Sequence, residues 1–327
     1  MYLVSILLPV YRVEKYIERC ARSLFEQTYD NLEYIFVDDC SPDSSIAILN
    51  RVLEDYPERK AQVRIIRHER NRGLAAACNT ALNAAQGSFL SHVDSDDYLD
   101  RDAIRLLVNK QVETGADIVT GNYYIVGTNG IKKASEPEYK DKQEMLLKAL
   151  SSHSGTYAVW RRLINIRLYR EHCIGPEEGL DFFEDIRQTT KLVYYANTVA
   201  RINDHIYYYD RTNDHSYTSN AFNHSNIKLW RQSVDSVRII EHFFSDKEQE
   251  YYDMARRIAI CSMKFRMSLA AKYKEKAFFE EMKRTITSEY TDCYGEIGWN
   301  NPLVRAFMCN YTLNGVYRRF LRTIKIK

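Results

Sequence analysis

Up to Val126 the apolar and polar positions switch between two periods. Val4–Val10 (VSILLPV), Leu32–Asp38 (LEYIFVD) and Val63–His68 are short runs of strand length and composition. Between them, apolar residues recur at helical spacing: Val13, Tyr16, Ile17, Cys20 and Leu24 in Val13–Gln27, and a second helix over Ser44–Tyr56 capped by Asp43. An alanine-rich helix is expected over Gly73–Gln86, with Gly87 as its stop signal. Ser88–Val93 reads as a fourth strand, followed by a helix from Asp100 or Asp102 to about Glu113 and a strand within Ala116–Val126. Such alternation predicts βαβ units, a mainly parallel sheet and helices on both faces. Ligands then bind outside the carboxyl ends of the strands.

Beyond Val126 the pattern loosens. Gly127–Lys142 is polar and reads as a loop, Gln143–Ser151 and Phe182–Ala196 read as helices, and Ala200–Asp210 contains a strand. From about Asn220 the chain turns helical.

Composition narrows the function. Of 327 residues 45% are hydrophobic, enough for a large domain and a smaller one. A net charge of +2 gives no bulk electrostatic basis for holding nucleic acid. Seven scattered cysteines, none spaced C-x-x-C, argue against a disulfide framework or a zinc site and fit a reducing compartment. The start, MYLVSILLPVY, lacks the basic region of a leader and reads as a strand. No apolar run reaches the roughly 18 residues of a membrane span. A cytoplasmic location is expected.

The chemistry is concentrated in carboxylates at strand ends. Asp38 and Asp39 follow the second strand, and Asp94, Asp96 and Asp97 follow the fourth. Like charges this close repel unless solvent or a cation relieves them. The stretch DSD (Asp94–Asp96) is therefore either a solvated turn before a helix capped by Asp100, or a cation site. The chain has neither G-x-G-x-x-G after its first strand nor G-x-x-x-x-G-K-[ST]. If a nucleotide binds, glycine-rich backbone does not cradle its phosphates, and a divalent cation on carboxylates can neutralise them instead.

The residues that carry these features resemble a known family. Ser5–Ser45 (SILLPVYRVEKYIERCARSLFEQTYDNLEYIFVDDCSPDSS) looks like the opening of the family 2 glycosyltransferases, which have the GT-A fold. His68–Leu99 (HERNRGLAAACNTALNAAQGSFLSHVDSDDYL) is similar to their second block, ending in D-x-D, and Phe182–Arg211 to their E-D catalytic segment. The fold class expected is thus α/β, GT-A, with a Rossmann-like mainly parallel sheet and a helical C-terminal region. Residues 1–219 would form the glycosyltransferase domain, with a nucleotide-binding half at about 1–125 and an acceptor half at about 126–219. The helical region would be 220–327.

The resemblance implies a nucleoside-diphosphate-sugar donor, commonly UDP-linked, Mn²⁺ or Mg²⁺ on its diphosphate, and inversion at the anomeric carbon. By the same resemblance Pro9, Val10 and Tyr11 line the base pocket, and Asp39 accepts from the base's N–H with Asp38 beside it. Asn71 and Arg72 edge the nucleotide. Asp94 faces the sugar or ribose, Ser95 lies against the donor, Asp96 is the metal ligand, and Asp185 is the general base. His215 lies where related enzymes place a loop over the diphosphate, so it can complete the metal site or contact phosphate; Arg211 can do the latter. The family's usual glycine after VDD is Cys40 here.

The acceptor implied is a glycan or a lipid-linked glycan. Val316–Lys327 (VYRRFLRTIKIK) alternates an apolar and a basic face, a pattern for peripheral contact with the inner face of a membrane or for a solvated helix end. Two other readings are a catalytically inactive scaffold and a sugar nucleotidyltransferase. The second would need a glycine- and arginine-rich loop after the first strand, and Leu7–Tyr16 contains no glycine.

Overall fold

The structure, a computed structural model, describes residues 2–151, 157–214, 216–223 and 225–293. Two compact units make up the chain, one of residues 1–149 with 154–213, the other of 150–153 with 214–327. The division falls at Asn213, six positions before the expected boundary at 219.

In the first unit, β1 (Val4–Val10), β2 (Leu32–Asp38) and β3 (Val63–Arg67) run parallel, linked by α1 (Ile17–Phe25) and α2 (Ser45–Glu54). Both faces of β1 and β2 are buried, which explains their unbroken apolar runs. Val4, Ile6, Leu8 and Val10 join Leu24, Phe25, Leu49 and Leu107 in one core. α3 (Leu74–Ala84) lies against β1 and β2, and its Ala75, Ala76, Ala77 and Ala81 are fully buried. A methyl-sized side chain lets that helix approach the sheet closely.

β4 (Phe89–His92) pairs with the other edge of β1, again in parallel. The sheet then changes character. β5 (Tyr98–Leu99) leads to α4 (Ala103–Thr114), β6 (Ile118–Gly127), β7 (Gly130–Ala134) and α5 (Lys142–Ala149). β8 (Arg162–Asn165), α6 (Ile166–Glu171), α7 (Glu184–Tyr195) and β9 (Val199–Asp210) complete the unit. The order is β3-β2-β1-β4-β8-β6-β9-β5, with β7 on β6. β8 is antiparallel to both β4 and β6, so parallel pairing is confined to the first four strands and to β6 with β9. The chain leaves β1 first towards β2 and later towards β4, and that reversal places a crevice at the ends of β1 and β4.

Three expectations change. The polar segment 127–142 is not all loop: residues 127–130 turn β6 into β7 as a hairpin, and β7 is exposed enough to show no apolar alternation. Gly87 does not cap α3, which ends at Ala85 in extended backbone. Its task is close approach, since a Cβ there would sit 2.6 Å from Ser5 Oγ and 2.7 Å from the Leu3 carbonyl. The first helix begins at Ile17 rather than Val13, because residues 13–16 form a turn in which Val13 N–H donates to Ser45 Oγ at 3.0 Å.

Cys40 holds a left-handed φ of 57° where glycine is free of strain. Such strain costs roughly 1–2 kcal/mol, and glycine's extra freedom when unfolded returns about 0.5–1 kcal/mol of it. Cys40→Gly is therefore expected to stabilise the protein by up to about 1 kcal/mol, seen as a higher melting temperature. A lower one would mean the cysteine side chain contributes more than its backbone loses.

The second unit contains α8 (Tyr217–Asn223), α9 (Ile227–Phe244), α10 (Gln249–Tyr273) and α11 (Lys276–Glu289). Trp230, Ile240, Phe244, Ile260, Met263 and Phe279 are its buried centre. Arg231 forks onto Glu281 and ties α9 to α11. Among the described residues no helix is long and apolar enough to cross a membrane.

Candidate active site

The DSD turn leaves the end of β4 at the crevice. Its carboxylates are not equivalent. Asp97 is buried and bound to β9: Oδ1 accepts from Asp210 N–H and Oδ2 from the Tyr207 hydroxyl, both at 2.7 Å. Asp96 is half-buried, and its Oδ2 accepts from Asn213 Nδ2 at 2.8 Å. Asp94 is half-buried too, and its carboxylate meets no hydrogen-bond donor among the described residues. Burial first, and then the neighbouring Asp96 and Asp185, hold its carboxyl well above the ordinary range. Asp96 is also pushed up, chiefly by burial.

Arg19 reaches the turn, but its ion pair is with Asp210. Its Nη2 pairs with Asp210 at 2.5 Å and donates to the Asp96 carbonyl at 3.2 Å, and its guanidinium covers the Tyr98 ring. Asp94 and Asp96 thus present oxygen donors with no ion pair to either carboxylate among the described residues, which fits a hard divalent ion. Among the described residues no three acidic, histidine or cysteine side chains form a complete cage. His215 and Val316–Lys327 lie outside the described residues.

The second carboxylate pair is built differently. Asp39 is buried; its Oδ1 accepts from His68 Nδ1 at 2.7 Å and Arg72 N–H at 2.8 Å, its Oδ2 from Gly73 N–H at 2.8 Å. His68 is fixed in turn by Thr80 Oγ1 at 2.9 Å. A carboxylate has about four acceptor positions, so one remains on Oδ2. Asp38 accepts from Ser41 N–H at 2.8 Å and pairs with Arg67 Nε at 3.3 Å, which makes it an organiser of its own loop. Val10 is buried at the end of β1, Pro9 is half-buried, and Tyr11 is exposed just beyond. Arg72 forks onto Glu178 at 2.9 and 3.1 Å, and with Arg70, Asn71 and Gly179 they line an open cleft of about 490 Å³.

Asp185 arrives from the far side of the sequence. Glu184 and Asp185 open α7, where the helix dipole favours acids. The preceding Phe183 has φ 65°, an outlier for a bulky residue and a sign that the turn is held from outside. Arg187 supplies part of that hold: it is buried, its Nε pairs with Glu177 at 2.5 Å and its Nη2 donates to the Leu180 carbonyl at 2.5 Å. Asp181 adds to it by accepting from Ala75 N–H at 3.0 Å, which ties the segment to the start of α3. Asp185 accepts a backbone N–H from Val159. Burial raises its carboxyl to about 6, opposed by that N–H and by Arg162, Arg161 and Arg187. Glu184 is pushed well above its ordinary range by burial and by Asp185. The charge of Asp185 acts on Asp94, so the turn after β4 and the start of α7 lie near one another.

The model of glycosyl transferase family 2 matches residues 5–171, just over half of the 327. The chain is a family 2 glycosyltransferase. It is 31% identical over 224 residues to the uncharacterized glycosyltransferase EpsJ of Bacillus subtilis, covering 66% of this chain and 63% of that one. It is 32% identical over 164 residues to WfgD of Escherichia coli, covering 50% and 62%. That relative is named a UDP-Glc:alpha-D-GlcNAc-diphosphoundecaprenol beta-1,3-glucosyltransferase. The chain therefore spans less than two thirds of the length of either. Among solved structures, Staphylococcus aureus TarS residues 1–349 with UDP-GlcNAc superposes with a TM-score of 0.71 at 20% identity, covering 97% of this chain and 91% of that one. That likeness establishes the GT-A fold.

Two residues of this glycosyltransferase's site carry no signal in the sequence pattern, Arg19 and Asn213, and nothing in the sequence separates the anchored Asp97 from its acidic neighbours. Arg19 and Asn213 reach the D-x-D only through folding. Asp181, four positions before Asp185, had a local cue in the run of acids from 177 to 185.

Proposed function

We propose that the protein is an inverting, metal-dependent glycosyltransferase. It moves a sugar from a nucleoside diphosphate, UDP by preference, to a hydroxyl of a glycan or glycolipid acceptor in polysaccharide assembly. The observation that carries this reading is that Asp94, in the turn after β4, and Asp185, in the first turn of α7, lie near enough for the charge of Asp185 to act on Asp94. In this reading Asp94 faces the donor and Asp185 takes the proton.

In this reading the last acceptor position of Asp39 takes the N–H of the base, with Pro9, Val10 and Tyr11 around it, Asp38 shaping the loop, and Asn71 and Arg72 at the edge. Ser95 lies against the donor, and Asp94 orients the sugar or ribose. Asp96, with His215 as its partner, would hold Mn²⁺ or Mg²⁺, which neutralises the diphosphate when bound. Asp185 receives the acceptor hydroxyl's proton as the new O–C1 bond forms and the bond from C1 to the diphosphate oxygen breaks. A single base opposite the leaving group gives inversion. The donor and acceptor in WfgD's name, and the UDP-GlcNAc in the TarS complex, support the choice of ligand classes.

Thermal melts with UDP, GDP, CDP and dTDP, each with Mn²⁺ or with EDTA, test the reading on wild type and Asp96→Ala. A ligand at about 100 times its dissociation constant adds about 2.7 kcal/mol. The expected result is a Mn²⁺-dependent upward shift with UDP that Asp96→Ala loses. If no nucleotide shifts the melt, the reading of Asp96 as a metal ligand for a nucleoside diphosphate falls.

A further inference from the structure

The way Asp39 is held restricts what a ligand can offer it. The residue follows β2 and is 2% exposed, and His68, which follows β3, is 7% exposed. His68 Nδ1 meets Asp39 Oδ1 at 2.7 Å, and its Nε2 meets Thr80 Oγ1, on α3, at 2.9 Å. An ionised carboxylate only accepts, so Nδ1 is the donor in the first bond. A hydroxyl both donates and accepts, so Thr80 satisfies Nε2 in either role. The backbone is fixed as well: His68 N–H donates to the Asp38 carbonyl at 2.9 Å, and Asp39 N–H to the Val10 carbonyl at 3.0 Å.

These bonds leave the carboxylate a single position. Oδ1 takes both His68 Nδ1–H and Arg72 N–H, at 2.7 and 2.8 Å, which fills it. Oδ2 takes Gly73 N–H at 2.8 Å and keeps one lone pair. A ligand can therefore give Asp39 one N–H and no second one beside it. Nucleobases differ in that respect. Uracil and thymine carry one ring N–H, at N3, between two carbonyls. Guanine carries N1–H beside an amino group, and matches a carboxylate best when both oxygens are open. Cytosine and adenine present a bare ring nitrogen on the same edge, which sets lone pair against lone pair.

We infer that His68 and Thr80 are positioning residues that determine which donor base is accepted. The imidazole, braced on α3 by Thr80, fills Oδ1 and fixes the carboxylate so that its one open position admits a single imide N–H. That selects uridine or thymidine diphosphate sugars over those of cytidine, adenosine and guanosine. The inference rests on the reading of Asp39 as the partner of the base. Without the imidazole, two backbone N–H groups alone would set the angle of the carboxylate, and a position on Oδ1 would open to water. UDP would lose an aimed partner. CDP, with no N–H at N3, would lose nothing.

The test is the affinity for UDP and CDP, by calorimetry with Mn²⁺ present, of wild type, His68→Phe, Thr80→Val, the conservative His68→Asn and Thr80→Ser, and Asp39→Ala. GDP and IDP are added for wild type, since hypoxanthine is guanine without its amino group. Wild type is expected to prefer UDP to CDP by more than about tenfold, and to bind GDP no tighter than IDP. His68→Phe and Thr80→Val are expected to lose about tenfold in UDP affinity and less than about twofold in CDP affinity. His68→Asn keeps an N–H near Nδ1 and Thr80→Ser keeps the hydroxyl, so both are expected to restore the preference. A merely structural pair would weaken both nucleotides alike or change only the melting temperature, and either result overturns the inference. GDP more than about tenfold tighter than IDP also overturns it, because the amino group would then have found a second acceptor. If His68→Phe does not fold, Thr80→Val and Thr80→Ser decide. Asp39→Ala separates the inference from the reading beneath it. If that variant keeps the wild-type preference, Asp39 is not the partner of the base and both fall. If it loses the preference while His68→Phe and Thr80→Val retain it, the inference alone falls.

Discussion

Asp185→Asn is expected to lower the transfer rate by about 10²–10⁴-fold and to leave the fold intact. The amide keeps an oxygen for the Val159 N–H and removes one charge from a pocket that already contains Glu184 and Asp94. A comparison of turnover with melting temperature separates the two effects. Near wild-type turnover in a folded variant would remove Asp185 from the mechanism. The wild-type pH profile should agree: a base must be deprotonated, so activity is expected to fall as the pH drops through about 6. Stability runs the other way. A carboxyl raised from 3.8 to about 6 on folding favours the protonated state, so its contribution is full below 3.8 and is lost as the pH rises through about 6. Asp185→Asn should therefore flatten the melting temperature against pH over that window.

Gly73→Ala is expected to destabilise the protein by about 2–3 kcal/mol, the sum of left-handed backbone strain and a lost helix cap, and to weaken nucleotide binding with it. Gly73 has φ 94°, and a Cβ there would lie 2.6 Å from both carboxylate oxygens of Asp181. Asp181 is short and cannot swing away without releasing Ala75 N–H, while Gly73 N–H itself holds Asp39. Denaturant melts and a UDP titration of the variant measure both losses. Unchanged stability would mean that the start of α3 is more pliant than its contacts imply.

The first half of the fold is legible because burial on both faces writes itself into the residues. β1 and β2 begin and end where their apolar runs do, and Gly115 stops α4 in the left-handed conformation that glycine allows. β8 and α6 were missed for a physical reason. RLIN opens on an arginine whose guanidinium is buried against Glu136, a compensation no local pattern announces. β7 is an exposed hairpin arm with two lysines, held by backbone pairing rather than by an apolar face. For the site, Asp94, Asp96 and Asp185 stand out as acids at element ends. Asp97 looks the same in sequence, and only Tyr207 and Asp210, over a hundred residues away, make it an anchor.

The same distances govern when the site comes into being. Asp181 meets Ala75 across 106 residues, Asp97 meets Asp210 across 113, and Asn213 meets Asp96 across 117. Loops that long close late, because their entropy must be met before the contact returns anything. β1 to β4 can pair while Asp94 and Asp96 still face open water. The charges are gathered in when β9 docks, so like-charge repulsion is expected to enter late in folding rather than early. Nor does the cleft belong to the parallel half alone: a chain stopped near residue 150 would keep Asp39 with His68 and Gly73, but lose Tyr207, Asp210 and Asn213, which hold the acidic turn.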